Sequence, residues 1–163
     1  MQEESIMQNR MKLHMLSDQE IERLLTESQV GRIASVDPEG YPYVVPVHFV
    51  YLNERIYFHG LPKGQKLDYI SKNPKVGFEV DEMLSLISQG IEEPCDINTE
   101  YNSVIVRGNA EILTDIEYKK EVLLKIVEKY TPQLSGKDIP ENMVKGTAVI
   151  EITIEELTGK YSK

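Results

Sequence analysis

The sequence predicts a mostly β fold with some α-helix, a six-stranded antiparallel β-barrel with peripheral helices, and three observations support this class. In six segments apolar residues alternate at a period of two, which is the pattern of half-buried strands. Turn sequences such as Asp37-Pro38-Glu39-Gly40 join strands that follow one another closely, so the connections are hairpins. Only two or three segments have helical spacing, which is too few for a parallel α/β sheet.

Length and composition indicate one domain in a reducing compartment. Of the 163 residues, we expect 1–16 to form an N-terminal arm and 17–163 to form a single domain. The net charge of −9 argues against nucleic acid or an anionic membrane as a partner, because both are polyanions. No apolar run reaches the ~20 residues of a membrane-spanning helix. Because Cys95 is the only cysteine, no internal disulfide can form, so we expect a cytoplasmic protein in which Cys95 is a packing residue.

The predicted helices begin at capping signals. Ser17-Asp18-Gln19-Glu20 is a capping box, and helical spacing continues from it to about Ser28. Thr114-Asp115-Ile116-Glu117 is a second capping box, and it starts a helix that runs through Tyr130. A short helix is predicted over 65–72, before a proline that stops it.

The predicted strands are 30–36, 43–51, 55–59, 76–80, 101–113 and 147–155. Gly108 falls inside the fifth of them and indicates a bulge or bend. Residues 81–100 have little pattern and are expected to form a long loop.

The most informative segment for chemistry is His59-Gly60-Leu61-Pro62-Lys63-Gly64-Gln65-Lys66. A strand ends in a glycine-containing loop, and a helix begins at once with two lysines close by. The unpaired amides at a helix N-terminus attract anions, and Lys63 and Lys66 add positive charge, so phosphate is the expected guest. A surface loop with solvated lysines is the alternative. The segment lacks the Gly-Lys-Ser/Thr ending of a Walker loop.

Other candidate residues carry weaker signals. His48 and His59 lie near the ends of neighbouring strands and could approach each other, but no third metal ligand stands at a regular spacing. His59, beside the anion loop, is better explained as a cofactor contact or a proton donor. Several tyrosines could stack on a flat ligand, namely Tyr41, Tyr43, Tyr51, Tyr57 and Tyr101.

Eight segments, spread over nearly the whole chain, form a recognisable pattern in their order and spacing: Val30–Val36, Gly40–Val47, Tyr57–Gly60, Gly64–Leu67, Asn73–Val76, Cys95-Asp96, Tyr101–Gly108 and Leu157–Lys160. This pattern resembles the pyridoxamine-phosphate-oxidase-like flavoproteins, and within them the nitroimidazole-resistance-related branch. The resemblance implies an FMN-binding split barrel with Greek-key topology that forms a homodimer, with two FMN sites at its interface.

The resemblance also implies which residues bind FMN. The family's phosphate-binding lysine corresponds to Lys66, the residue that the loop and helix indicate independently, while Gln65 stands where the oxidases carry arginine. The second strand would border the isoalloxazine ring, and Asn102, Ser103 and Val104 could be supplied by the partner chain. The implied cofactor-binding residues are Val45, Pro46, Val47, His48, Phe49, Phe58, His59, Gly60, Lys63, Gln65, Lys66, Asn102, Ser103 and Val104.

The resemblance implies an FMN-dependent oxidoreductase. NADH or NADPH would reduce the flavin, which would pass electrons to a small oxidant of the nitroaromatic or quinone type, with His59 as the candidate catalytic residue. The basic residues that hold pyridoxal phosphate in the oxidases are not evident in Val149-Ile150-Glu151-Ile152, which argues against vitamin B6 oxidation. Two alternatives stay open, a non-catalytic flavin-binding or stress-related protein and a related barrel that uses haem or a deazaflavin.

Overall fold

The computed structural model describes residues 12–162, which form seven strands and four α-helices. The strands are β1 (Gly31–Val36), β2 (Pro42–Val47), β3 (Phe49–Leu52), β4 (Arg55–Gly60), β5 (Lys75–Ile87), β6 (Asn98–Ile112) and β7 (Ala148–Ser162). The helices are α1 (Asp18–Glu27), α2 (Gln65–Lys72), α3 (Ile116–Tyr130) and α4 (Glu141–Lys145), and two short 3₁₀ turns lie at Pro94–Asp96 and Pro132–Leu134. The mostly β class and the antiparallel sheet are confirmed.

One sheet contains all seven strands, in the order β2-β1-β5-β6-β7-β4-β3, and every neighbouring pair is antiparallel. The two edge strands, β2 and β3, are separated in sequence only by His48. The two edges of the sheet therefore come together at that residue, and the sheet curls into a barrel.

The prediction of a single strand over 43–51 was wrong at His48. β2 pairs with β1 and β3 pairs with β4, so the chain changes its neighbour between Val47 and Phe49. Apolar residues continue through this point, so nothing in the alternation reveals the change of partner. The sheet consequently has seven strands and not six.

Capping follows the prediction at α1 and differs at α3. Ser17 caps α1, and both hydrogen bonds of the box with Glu20 are present. At α3 the cap is Asp115, whose side chain accepts a hydrogen bond of 2.8 Å from the backbone N–H of Tyr118. The N-cap predicted at Thr114 was therefore wrong by one residue, because the Asp115 carboxylate accepts the hydrogen bond at the start of α3 instead.

The predicted loop over 81–100 is largely a β-hairpin arm. β5 and β6 pair as far as Ile87 and Asn98, well beyond the barrel. Met83, Leu84 and Leu86 are exposed on this arm, so neither face is buried and the sequence shows no one-sided alternation. Cys95 lies at the end of the arm and is exposed, so the expectation of a packing residue was wrong.

The bulge predicted at Gly108 is confirmed. The register of β6 on β7 shifts between Arg107 and Gly108. A Cβ on Gly108 would lie 2.4 Å from the carbonyl oxygen of Thr153, so a side chain cannot be placed there without moving the neighbouring strand.

Two apolar cores lie on either side of the sheet. Inside the barrel, inward residues of the strands pack with α1 at one end, where Ile21 contacts Gly159, and with α2 at the other, where Leu67 and Ile70 are buried. Outside the barrel, α3 and α4 cover β3, β4 and β7, and this second core comprises Val50, Tyr57, Val122, Leu123, Ile126, Val144 and Val149.

Of the predicted N-terminal arm, residues 1–11 lie outside the described part of the chain. Within residues 12–16, Met15 forms a β-bridge with Lys160 and Leu16 is buried in the barrel core. Within residues 12–162, no helix is long and apolar enough to cross a membrane.

Candidate functional site

The predicted anion loop joins β4 to α2 at one end of the barrel. Gly64 is the N-cap of α2 with a φ of +144°, a conformation that favours glycine, and no side chain caps the helix. The first-turn amides therefore face the loop without a side-chain acceptor, as the sequence predicts for an anion site. Lys63 and Gln65 are both exposed here.

Lys66 turns back from α2 towards the end of β4. Its Nζ lies 5.0 Å from the centre of the Phe58 ring, and a Cβ placed on Gly60 would be 3.8 Å from that Nζ. Burial lowers the pKa of the Lys66 ammonium, because a charged group loses hydration there. Because residue 60 is glycine, no side chain occupies the space beside the half-buried ammonium of Lys66.

His59 is the most unusual polar residue of this region. Its Nδ1 is buried and has no hydrogen-bond partner within the described chain. Burial lowers the pKa of the imidazole, and the positive charges of His48 and Lys66 lower it further. A buried ring nitrogen without a partner is costly, so it indicates a group that is completed by a ligand.

His48 approaches His59 across the β3–β4 hairpin. Phe49 pairs with Phe58 in this hairpin, which places His48 opposite His59, and the effect of His48 on the pKa of His59 agrees with that placement. The His48 ring stacks on Tyr130, with a centroid distance of 4.4 Å and an interplanar angle of 17°. The side chain of His48 is otherwise exposed.

The last two residues of α3 complete the surroundings of the β2–β3 junction, and their part in the site was missed from the sequence. The Tyr130 hydroxyl accepts a hydrogen bond of 2.8 Å from the Phe49 N–H, and the Lys129 Nζ lies 4.2 Å from the centre of the Phe49 ring. The sequence pattern marks Tyr130 only as the last apolar position on the buried side of the predicted helix. No sequence pattern marks Lys129, because its burial depends on the packing of α3 against β3.

The other residues of the predicted second strand that are implied to bind the cofactor point either into the barrel or away from it. Val47 and Phe49 are buried in the barrel core, as is Phe58 on β4, so their side chains fill the interior. Val45 is half-buried against the same core, whereas Pro46 points outward and is exposed. Contacts to a ligand from the buried residues are thus restricted to their backbone atoms.

Asn102, Ser103 and Val104 are not near His59 in the same chain. On β7, Ile150 pairs with Phe58 of β4 on one side and with Ile112 of β6 on the other. The part of β6 that lies level with the end of β4 is therefore near Ile112, and the three residues lie towards the other end of β6. Ser103 lies nine positions before Ile112, which is roughly 30 Å of extended strand. Asn102 instead donates a hydrogen bond of 2.8 Å to Glu82. Any role for these three residues beside Lys66 requires a second chain.

A cavity of about 670 Å³ lies elsewhere, between α3, the β3–β4 turn and residues 135–138. Tyr57 borders it but is buried under α3, with its hydroxyl 2.6 Å from that of Tyr118, so Tyr57 cannot stack on a ligand at the anion loop. None of the implied cofactor residues lines this cavity. Within residues 12–162, no group of three or more His, Cys, Asp or Glu side chains is arranged to hold a metal.

Comparison with known proteins identifies relatives of the whole domain. The sequence profile of the pyridoxamine 5'-phosphate oxidase family matches residues 17–161. A candidate 5-nitroimidazole antibiotic resistance protein from Bacteroides thetaiotaomicron is similar in structure, with a TM-score of 0.80 and 27% identity over 91% of this chain and 86% of that one. An FAD-binding protein from Mesorhizobium loti is similar with a TM-score of 0.66 and 26% identity, over 91% of this chain and 96% of that one.

An uncharacterized protein of Rhizobium meliloti is 27% identical over 103 residues, which are 63% of this chain and 59% of the relative. The chain therefore matches less than two thirds of that relative's length. These findings confirm the split-barrel fold and the resemblance to the nitroimidazole-resistance-related branch.

Proposed function

The chain belongs to the pyridoxamine 5'-phosphate oxidase family, and from this premise we propose that it is an FMN-binding oxidoreductase. NADH or NADPH is the proposed electron donor, and a small oxidant of the nitroaromatic or quinone type is the proposed acceptor. The similarity to a candidate nitroimidazole resistance protein and to an FAD-binding protein supports a flavin and a nitroaromatic acceptor. The single cysteine of the sequence supports a cytoplasmic location.

The observation that carries the proposal is the buried Nδ1 of His59 beside Lys66. Both charged groups that act on the pKa of His59, His48 and Lys66, are basic. An anion is the ligand that such a cluster favours, and the uncapped N-terminus of α2 adds to the same field. The donor set therefore fits the phosphate of FMN, with Lys66 as its charged partner.

The chain's own residues would bind and orient the cofactor. Lys66 would neutralise the phosphate, and the α2 amides would donate hydrogen bonds to its oxygens. His59 has a lowered pKa and is neutral at pH 7, so one ring nitrogen donates a hydrogen bond while the other accepts one. When bound, the flavin supplies hydride acceptance and electron transfer. While the ring stays neutral, the Nδ1 of His59 would donate or accept a hydrogen bond to the bound group without adding positive charge to the site.

The test of the cofactor site is a titration of apo-protein with FMN. Lys66→Ala should weaken binding about 10- to 100-fold, the loss expected for a charge-assisted contact. Lys63→Ala is the matched control, because Lys63 lies in the same loop but is exposed. An unchanged affinity in Lys66→Ala, or an equal loss in both variants, would contradict the proposed site.

We also propose that a second copy of the chain covers the open outer face of the sheet. Val44 is 57% exposed and Ile105 is 53% exposed on this face, and Pro46 and Ser103, two implied cofactor residues, point the same way. The arm formed by β5 and β6 carries further exposed apolar residues, and an isolated two-stranded hairpin is marginally stable in water. A partner chain would bury both surfaces and bring Ser103 towards a site that one chain leaves incomplete.

Light scattering of an Ile105→Arg variant tests the dimer. We expect the wild type to have the mass of a dimer. The variant should be monomeric, because dimer formation would bury the charge of the new arginine at the interface. The variant should also lose FMN affinity if the interface completes the site. A wild-type monomer that retains FMN would refute the interface proposal.

Two measurements separate this function from its alternatives. The absorption spectrum of protein purified without added cofactor distinguishes a flavin from haem or a deazaflavin. Oxidation of NADH or NADPH that depends on an added nitroaromatic or quinone distinguishes an oxidoreductase from a flavin-binding protein without turnover. A colourless protein that also fails to bind added FMN would overturn the proposal.

A further inference from the structure

We infer that Tyr130, at the end of α3, is a positioning residue for the β2–β3 junction and for the His48–His59 pair. The inference rests on the proposed function for its effect on FMN. Its effect on the two histidines is independent of any cofactor. Tyr130 acts through Phe49 and His48, the residues that flank the change of partner between β2 and β3.

The Tyr130 hydroxyl takes the place of a neighbouring strand at the edge of β3. The N–H of Phe49 donates to the hydroxyl at 2.8 Å, and the hydroxyl in turn donates to the carbonyl oxygen of Phe49 or of Gln29, each 2.9 Å away. An edge strand leaves such backbone groups unpaired, and leaving them buried without a partner is unfavourable. A single side chain thus ties together the segment before β1 and the start of β3.

The Tyr130 ring sets the orientation of His48. The two rings are nearly parallel at 4.4 Å, so rotation of His48 about its side-chain bonds would break the stack. Lys129 contacts the same junction, with its Nζ 4.2 Å from the centre of the Phe49 ring and 5.4 Å from that of the Tyr130 ring. Because His48 faces His59 across the hairpin, the position of Tyr130 determines how the two imidazoles meet.

This arrangement couples the covered outer face of the barrel to the proposed site. Tyr130 contacts His48 and Phe49, and the other residues implied to border the isoalloxazine ring directly precede them in β2. A displacement of about 1 Å in a supporting group is enough to weaken a preorganised site. α3 therefore contributes to cofactor affinity without a residue in contact with the phosphate loop.

Two substitutions and one matched control test the inference. Tyr130→Phe removes the hydroxyl and keeps the ring, Tyr130→Leu removes both, and Tyr118→Phe removes a hydrogen-bonded hydroxyl from the same helix at a distance from the junction. Two readouts are needed, the FMN affinity and the imidazole NMR signals of the apo-protein, which include a pH titration of His59. The chain has three histidines, and His14, which packs on Tyr161, serves as the internal reference.

We expect Tyr130→Phe to weaken FMN binding about 3- to 10-fold, the range of one lost hydrogen bond, and Tyr130→Leu to weaken it further. The NMR signals of the His48 ring should move in Tyr130→Leu, because the stacked ring is lost. The His59 signals and the pH titration of His59 should change by less, and the His14 signals should not move. Tyr118→Phe should change neither readout.

Unchanged NMR signals of His48 and His59, together with an unchanged pH titration of His59, in Tyr130→Leu would overturn the inference. It would equally be overturned if Tyr118→Phe weakened FMN binding as much as Tyr130→Phe, because the effect would then be a general loosening of α3. Failure of the wild type to bind FMN would refute the proposed function, while the histidine NMR signals would still decide the positioning role.

Discussion

The two outer faces of the sheet differ in what covers them. On β3, β4 and β7 the outward residues Val50, Tyr57 and Val149 are buried under α3 and α4. On the other face, Val44 and Ile105 remain exposed between ion pairs. The same strand pattern therefore serves two purposes, since one face stabilises the chain by itself and the other is available to a second chain.

The polar groups of the two faces differ in the same way. Under α3, Glu151 is buried and accepts hydrogen bonds from Tyr118 at 2.7 Å and from Arg55 at 2.9 Å. On the open face, Arg107 and Glu156 form an ion pair of 3.3 Å whose side chains are 76% and 51% exposed. Buried pairs depend on their geometry, whereas exposed pairs contribute little. The proposed site, with His48 and its neighbours, lies where the two faces meet.

The largest expected effect is on the covered face. Ile126→Ala should lower the free energy of unfolding by about 2–4 kcal/mol, because it leaves a cavity between α3 and the sheet. Ile105→Ala on the open face is the control, with an expected change within about 0.5 kcal/mol for an exposed site. Urea unfolding at low protein concentration measures both. Equal losses would show that the open face already belongs to the core of the single chain.

The next effect concerns the pH dependence of stability. Burial lowers the pKa of Lys129 to about 8, from a usual value of 10.5. Between these values the unfolded chain keeps a proton that the folded chain has released, so stability rises as pH increases through this window and is lost as pH falls. The difference should be roughly 1–3 kcal/mol between pH 7.5 and 10.5.

Lys129→Met should remove this dependence. Lys125→Met is the control, because Lys125 lies one turn earlier on the same helix and is exposed in an ion pair with Glu128. The measurement is the urea midpoint of each variant across the pH range, taken relative to wild type. A pH dependence in Lys129→Met equal to that of wild type would contradict a desolvated ammonium at this position.

The smallest effect compares the two glutamates. Glu151→Gln should cost about 1–2 kcal/mol, because it weakens charge-assisted hydrogen bonds to a buried group. Glu156→Gln should cost about 0–0.5 kcal/mol, because its partner is highly exposed. Thermal unfolding of the two variants distinguishes them. A larger loss in Glu156→Gln would reverse the assignment of the two faces.

Much of the fold could be predicted from local signals. The capping box at Ser17, the turn before Gly40 and the bulge at Gly108 each depend on a few neighbouring residues, and each is present. The β5–β6 arm could not be predicted, because a strand with two exposed faces has no alternation. The division at His48 could not be predicted either, because the partner of a strand is not encoded in its own apolar pattern.

The candidate site shows the same limit. Lys66 and His59 were identifiable because a glycine-containing loop before a helix is a local anion signal. Tyr130 and Lys129 were not identified as part of it, since about 80 residues of sequence separate them from Phe49. Their role depends on how α3 packs on the sheet, and the surface that α3 covers is formed jointly by β3, β4 and β7.

The sequence by itself determined most of the helices and strands, the barrel class and the position of the anion loop, because short-range sterics, capping and alternation act over a few residues. Only the tertiary structure decided which outer face is covered and which side chains meet at the β2–β3 junction. It also decided that Asn102–Val104 lie far from His59 within one chain, towards the other end of β6. These features arise from long-range packing, in which burial and desolvation depend on residues that the local sequence does not specify.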